Sequence, residues 1–398
     1  EIRLSLVGSE MCIRESLKDY VKISYELTQD GLLIGKGKLA EVSVVPHSEG
    51  KTNLQVNVPE NGKCYLKLTY HLKKEMPLLE EDYILGFDEI EVSQKDAKCQ
   101  LAEKWLEKTA TDSELQVNED DTQIHIKGRE FAYTIDRRTA LFTEMKFAGR
   151  EYLNHPMELN IWRAPTDNDM YIKSEWKKAH YDKAYTRAYT TEVVQGKHGV
   201  KITSHASVVA ETVQKILDVT ITWKIEAAGK IDADIAVTKD DEFPDLPRFG
   251  VRMFLDKKLS AVRYFGMGPQ ESYCDKHQAA SHGLYRADVG DLHEDYIRPQ
   301  ENGSHYDCEY VELNNSRYGI VASAEKAFSF NASYYTQEEL EKKTHNYELI
   351  ESDSVVFCVD YALNGIGSNS CGPVVLEQYR FDDVLFRFQF TLIPYVKG

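Results

Sequence analysis

The chain has 398 residues, 42% hydrophobic and 28% charged, and its 65 acidic against 48 basic side chains leave a formal charge of −17. That balance argues against partners that attract basic faces, namely nucleic-acid phosphates and anionic membrane surfaces. No apolar run approaches the ~20 residues that cross a bilayer, and 24 Tyr and 15 Phe with only 11 Pro speak for a globular chain of about two to three domains.

In chain order, the first segment is out of keeping with the rest. Met11-Cys12-Ile13-Arg14 is what one reading frame of a transposon-end sequencing oligonucleotide encodes, so residues 1–15 are expected to be adapter-derived; the alternative is a native strand with a loop. Neither an initiator Met nor an export leader with a cleavage site is present, and a bacterial cytoplasmic origin is expected.

From Val21 the pattern has period two. Val21, Ile23, Tyr25 and Leu27 alternate with Lys22, Ser24, Glu26 and Thr28, which predicts a half-buried strand. Gln29-Asp30-Gly31 supplies the φ > 0 positions of a tight turn, residues 32–34 and 40–45 read as short strands, Asn61-Gly62 is a second turn, and residues 65–72 form another strand. Short strands with turns every ~8–12 residues predict an immunoglobulin-like sandwich over residues 16–94. It has no Cys…Trp…Cys signature, so its topology stays open.

Residues 95–116 read as a linker with a short helix, because Leu101, Ala102, Trp105 and Leu106 fall at helical spacing. Residues 117–398 return to strands: 124–126, 131–135, and a long hairpin of 216–225 and 231–237 across Ala227-Ala228-Gly229-Lys230. A helix is expected within 169–185, carrying Trp176 and Tyr181, and a capping box, Thr336-x-x-Glu339, opens another over 338–343. No βαβα alternation occurs, which excludes a TIM barrel or a doubly wound sheet within the chain.

Chemistry is harder to read. Cysteines at 12, 64, 99, 274, 308, 358 and 371 form neither C-x-x-C nor a zinc spacing, and are expected to be reduced, buried thiols. Asp167-Asn168-Asp169 lacks the later Gly and Glu of a calcium loop and reads better as turn chemistry ahead of a helix. His293-Glu294-Asp295 reads as a solvated loop, and Gly266-Met267-Gly268 lacks the context of a phosphate cradle. No G-x-S-x-G elbow is present, and no carboxyl pair suited to glycoside hydrolysis stands out.

Four strings stand together in the second domain: Trp162-Arg163-Ala164-Pro165-Thr166-Asp167-Asn168-Asp169; Gly266-Met267-Gly268-Pro269-Gln270-Glu271-Ser272-Tyr273 with Asp275 behind it; Tyr296-Ile297-Arg298-Pro299-Gln300-Glu301-Asn302-Gly303; and Gly365-Ile366-Gly367-Ser368-Asn369-Ser370-Cys371-Gly372-Pro373. In this order they resemble the C-terminal domain of LacZ-type β-galactosidases of glycoside hydrolase family 2, from about residue 20 onward. The resemblance implies an all-β fold: an immunoglobulin-like sandwich followed by a large antiparallel supersandwich of the galactose mutarotase type, with few short helices.

It also implies hydrolysis of terminal β-D-galactosyl residues as in lactose, by glutamates on an upstream TIM barrel. That barrel also holds magnesium and sodium, so no catalytic residue and no cofactor is assigned to this chain. The partners implied are the β-galactoside, the barrel (as an upstream domain or a separate large subunit) and further copies in a homo-oligomer. No nucleic acid or membrane is implied.

The fourth string corresponds to a loop that borders the sugar, which makes Asn369, Ser370 and Cys371 candidate substrate-binding residues. Relatives carry Trp where this chain has Cys371, and a thiol offers far less stacking area than an indole. The alternative is that Cys371 is a packed thiol in a turn. Arg163, Asp167, Asn168 and Asp169 are site-adjacent or structural, with Trp162 suited to a core. Three readings follow: the C-terminal part of a single-chain β-galactosidase, a natural small subunit, or a free-standing sugar-binding or mutarotase-like module.

Overall fold

The computed structural model describes residues 2–4, 17–41, 44, 50–106 and 115–397. Except for Ile2–Leu4, the adapter-like segment lies outside the described residues, and so does Cys12. The chain divides into two compact units, Glu1–Gln100 with His282–Leu284, and Leu101–Ser281 with Tyr285–Gly398. The fold is all-β: immunoglobulin-like strands, then a large antiparallel supersandwich, with few and short helices.

In the first unit an antiparallel sheet runs in the order Leu32–Lys38, Val21–Gln29, Cys64–Leu72, Ile84–Glu91, beside a two-stranded pair of Ile2–Leu4 with Gly50–Thr52. The alternation read from the sequence selects its core, which gathers Val21, Ile23 and Leu27 against Leu66, Leu68 and Tyr70. Asp30 and Gly31 both take positive φ, +47° and +76°, as a two-residue hairpin turn requires. The strand expected over 40–45 does not form at Ala40, Glu41 or Val44, which carry no sheet pairing; Val42, Ser43 and Val45 lie outside the described residues.

The second unit holds a five-stranded and a twelve-stranded antiparallel sheet. The expected hairpin is present as Leu217–Glu226 and Ile231–Lys239, paired from Leu217↔Lys239 to Ile225↔Ile231. Leu217, Val219, Ile221, Trp223 and Ile225 turn inward, while Asp218 and Lys224 face water. Strand Ser354–Leu363 has its first seven residues buried without alternation, because both of its faces are covered.

The five-stranded sheet seats on the hairpin through aromatic packing: Phe142 meets Trp223 edge-on with centroids 4.9 Å apart. Trp223 Nε1 donates to the Ala140 carbonyl at 2.8 Å, and the Tyr133 hydroxyl donates to the Gly229 carbonyl at 2.7 Å. Gly229 stands at φ +91°, and a Cβ there would lie within about 3 Å of the Phe131, Phe147 and Tyr133 rings. Only glycine combines that turn with that approach.

Two helices are shorter than their patterns suggest. In place of one helix within 169–185, Ile172–Lys178 is helical and is flanked by single 3₁₀ turns at Asp167–Asp169 and Tyr181–Lys183. His180, at φ +56°, stops propagation, while Trp176 and Tyr181 are buried as expected. The linker helix is confined, among described residues, to Glu103–Leu106. The Thr336 cap forms, accepting the Glu339 N–H at 3.1 Å and opening helix Gln337–Lys342. The six described cysteines are free thiols, but the expected burial holds only for Cys64, Cys308 and Cys358; Cys99 and Cys274 are half-buried and Cys371, on a loop, is exposed.

Candidate functional site: a clamped loop

The four sequence strings, up to two hundred residues apart, meet around the loop that leaves strand Ser354–Leu363. The first supplies Arg163, whose side chain is fully buried. Its Nε and Nη2 bind the Asp169 carboxylate at 3.1 and 2.7 Å, Nη1 donates to the Asn364 carbonyl, and Nη2 also reaches the Gly365 carbonyl at 3.1 Å. Asp169 Oδ2 additionally accepts the Thr166 N–H at 2.9 Å and hydroxyl at 3.1 Å. The ion pair is thus surrounded by further hydrogen bonds, which is the condition under which a charge is tolerated out of water.

Behind it lies a second buried set. Glu301, from the third string, accepts the Ala164 N–H at 3.1 Å and Arg248 Nη1 at 2.8 Å, and Arg248 also binds Asp360 through Nε at 3.2 Å. Burial pushes the Asp360 carboxyl up to about 6 in spite of its Arg248 partner.

The loop, residues 365–373, is held at its base from both sides. Asp275, behind the second string, accepts the Ile366 N–H at 2.9 Å and the Gly367 N–H at 2.7 Å. Asn168 donates to the Gly367 carbonyl at 2.6 Å and accepts the Ser370 N–H at 3.3 Å. A Cβ on Gly365 would stand 2.8 Å from an Asp275 carboxylate oxygen, and Gly367 has φ +67°. Glycine is therefore needed at both positions for the clamp to close. Beyond it, the Gly372 N–H closes a turn on the Ser368 carbonyl at 2.7 Å, leaving Ser370 and Cys371 exposed and Asn369 half-buried.

The structure thus joins Arg163, Asn168 and Asp169 to the loop base, and Asn369, Ser370 and Cys371 to its tip. Asp167 stands aside: it is exposed, and its N–H goes to Gln300 Oε1 at 3.0 Å. Asp169, turned onto Arg163 and Thr166, and Asn168, turned onto the loop, are engaged in turn chemistry rather than in a calcium loop. Among the described residues no three His, Cys, Asp or Glu side chains are grouped to hold a metal ion.

Gly266 does not cradle phosphate either; a Cβ there would be 2.2 Å from Cys308 Sγ. Burial pushes the Cys274 thiol up to about 11, assisted by Asp275, so it is no nucleophile near neutrality. Both guanidiniums of the base are already paired with carboxylates, and what the site offers a ligand is the polar tip.

Sequence reading missed Arg248, Asp360 and Asn364, and passed over Glu301 and Asp275 as members of strings. One signal was available for Asp360: a carboxylate directly after the apolar run Val355-Val356-Phe357-Cys358-Val359 must be buried and therefore needs a cation.

Residues 127–392 match the family profile described as "Beta galactosidase small chain", two thirds of the chain. The chain belongs to the β-galactosidase small-chain family. Residues 14–93 match "Beta-galactosidase, domain 4". The chain is 40% identical to a β-galactosidase of Actinobacillus pleuropneumoniae over 98% of its own length and 38% of that protein. It is 32% identical to one of Staphylococcus xylosus over 87% of itself and 34% of that protein. It thus spans less than two fifths of the length of these relatives. Among solved structures, a galactose 1-epimerase from Lactobacillus acidophilus NCFM aligns with TM-score 0.39 and 8% identity over 73% of this chain and 100% of that one.

One buried group of this small-chain unit makes stability depend on pH. His305 packs against Tyr264 and Phe330, with centroids at 4.4 and 5.1 Å, and its buried Nε2 has no hydrogen-bond partner among the described residues. Burial lowers its pKa to about 4, only partly offset by the Met267 carbonyl and Glu271. The unfolded chain takes up this proton near pH 6.5 and the folded chain only near pH 4, so stability is full above pH 6.5 and falls as acid is added. The expected loss is about 3 kcal/mol between pH 7 and pH 4. Urea denaturation across that range should show a shallower slope for His305→Phe than for the wild type; equal slopes would contradict the assignment.

Proposed function

We propose that this chain is the C-terminal part of a bacterial, cytoplasmic β-galactosidase that hydrolyses terminal non-reducing β-D-galactose residues, and that the 365–373 loop forms one edge of its sugar site. The observation that carries this reading is the clamp. Asp275 and Asn168 hold the loop base by four hydrogen bonds, so Asn369, Ser370 and Cys371 are presented as a fixed tip. Preorganised loops of this kind lend a ligand its contacts with little ordering cost. Retaining chemistry needs two carboxyl groups about 5–5.5 Å apart. The proposal places that pair, with magnesium and sodium, on a barrel outside this chain, and the complete enzyme in a homo-oligomer.

Two measurements test it. The purified chain should show no turnover of a chromogenic β-galactoside, and turnover above background would place the catalytic pair within it. In a full-length enzyme carrying this chain, Cys371→Trp should change KM or acceptor preference several-fold while the exposed tip leaves Tm within about 2 °C. A fall in stability with unchanged KM would make Cys371 a packing residue.

The small-chain description of the matching profile favours a second reading, a natural small subunit. Co-expression with a separately encoded barrel chain, followed by co-purification and gain of activity, would distinguish it.

A further inference from the structure

A cavity of about 310 Å³ lies in the second unit, bordered by the strands Ser304–Asn314 and Ser354–Leu363 and by residues 378–383. Its volume falls in the range of small-molecule sites. The register of Ser304–Asn314 slips between His305 and Cys308, and Asp307 sits in that slip at φ +54°. Bulges of this sort re-aim side chains, and Asp is among the residues that tolerate the left-handed conformation the slip imposes.

The lining combines two chemistries. Tyr306, Tyr361 and Tyr379 contribute aromatic surface, and Asp307, Asp383 and Arg380 contribute charge. Two of the rings are braced: Tyr361 stacks on Phe386 at 4.8 Å and 15°, and Tyr306 lies near His277 at 5.7 Å and 25°. Among the described residues the three phenol hydroxyls make no hydrogen bond within the protein. Burial raises the pKa of the Tyr306 and Tyr361 phenols, with Asp307 and Asp383 adding to it, so both remain neutral donors. Arg380 is steadied by Nε donating to the Val375 carbonyl at 3.1 Å.

We propose that this cavity is a binding site for a pyranose sugar. A pyranose has an apolar C–H face and a rim of hydroxyls that both donate and accept. Rings, carboxylates, unused phenols and a guanidinium in one cavity answer both requirements. An anionic ligand would meet two carboxylates, and a purely apolar one would strip water from polar groups without replacing their hydrogen bonds. The proposal goes beyond the loop reading and does not depend on it, since the cavity lies wholly within the second unit.

The test uses the whole chain, titrated with D-galactose and separately with D-glucose, followed by calorimetry and ligand-observed NMR. Saturable binding with a millimolar Kd is expected for at least one sugar. Asp383→Asn removes a carboxylate from the lining and should weaken binding tenfold or more, and Tyr306→Phe about threefold or more, each with an unchanged thermal melt. Absence of saturation up to about 0.1 M sugar would overturn the proposal. So would binding that Asp383→Asn and Tyr306→Phe leave unchanged, or binding abolished by Cys371→Ser, which would put the sugar on the loop. A failure of the loop reading would appear in KM of the full-length enzyme, a different measurement.

Discussion

Arg163→Met should destabilise the chain by about 3–5 kcal/mol in urea denaturation, because it strands the buried Asp169 carboxylate and frees the carbonyls of Asn364 and Gly365. The loss is chiefly the cost of the orphaned charge rather than the worth of the pair. The double variant Arg163→Met with Asp169→Leu should therefore recover a large share of it, a coupling that a double-mutant cycle reads directly. A second readout is local. With the carbonyls released, amide exchange at Ile366 and Gly367 should accelerate even under conditions where the sheets stay protected. A loss below about 1 kcal/mol would mean that water reaches Asp169 and that the base of the loop is not sealed.

Trp223→Ala should cost about 3–5 kcal/mol, the range for removing a fully buried aromatic side chain. The indole touches Phe142 edge-on at 4.9 Å and Phe390 at 6.4 Å, and its N–H satisfies the Ala140 carbonyl, so truncation opens a cavity and leaves an acceptor unpaired. Trp223→Phe keeps most of the volume and loses the donor, and should lie well below the alanine variant. Similar losses for the two would make the hydrogen bond, not the packing, the dominant contribution. Because Trp223 joins the two sheets of the second unit, the alanine variant should also lower its cooperativity, seen as a reduced m value.

These two residues show where sequence is informative. Trp223 lies on an alternating strand between Ile221 and Ile225, and its inward direction follows from period two alone. Arg163 lies in a string with no periodicity, and nothing local says that a guanidinium there is buried. Its partners are six and about two hundred residues away, a separation at which the chain carries no pattern. The helix expected over 169–185 is cut to Ile172–Lys178 for a related reason: His180 takes a left-handed conformation that no local pattern encodes.

By itself, the order of the residues determined what period and turn chemistry determine: the all-β class, the long hairpin, the positive-φ turn at Asp30-Gly31, the Thr336 cap and the four strings that mark the family. The tertiary structure alone decided that those strings share one place, that Asp275 and Asn168 close on residues 365–373, that Arg248 answers Asp360 and Glu301, and that three tyrosines border one cavity. Alternation is a property of neighbours along a strand and survives in the sequence. A charge cluster is made by loops that meet only when sheets pack, and it is held by desolvation that acts only after they have met.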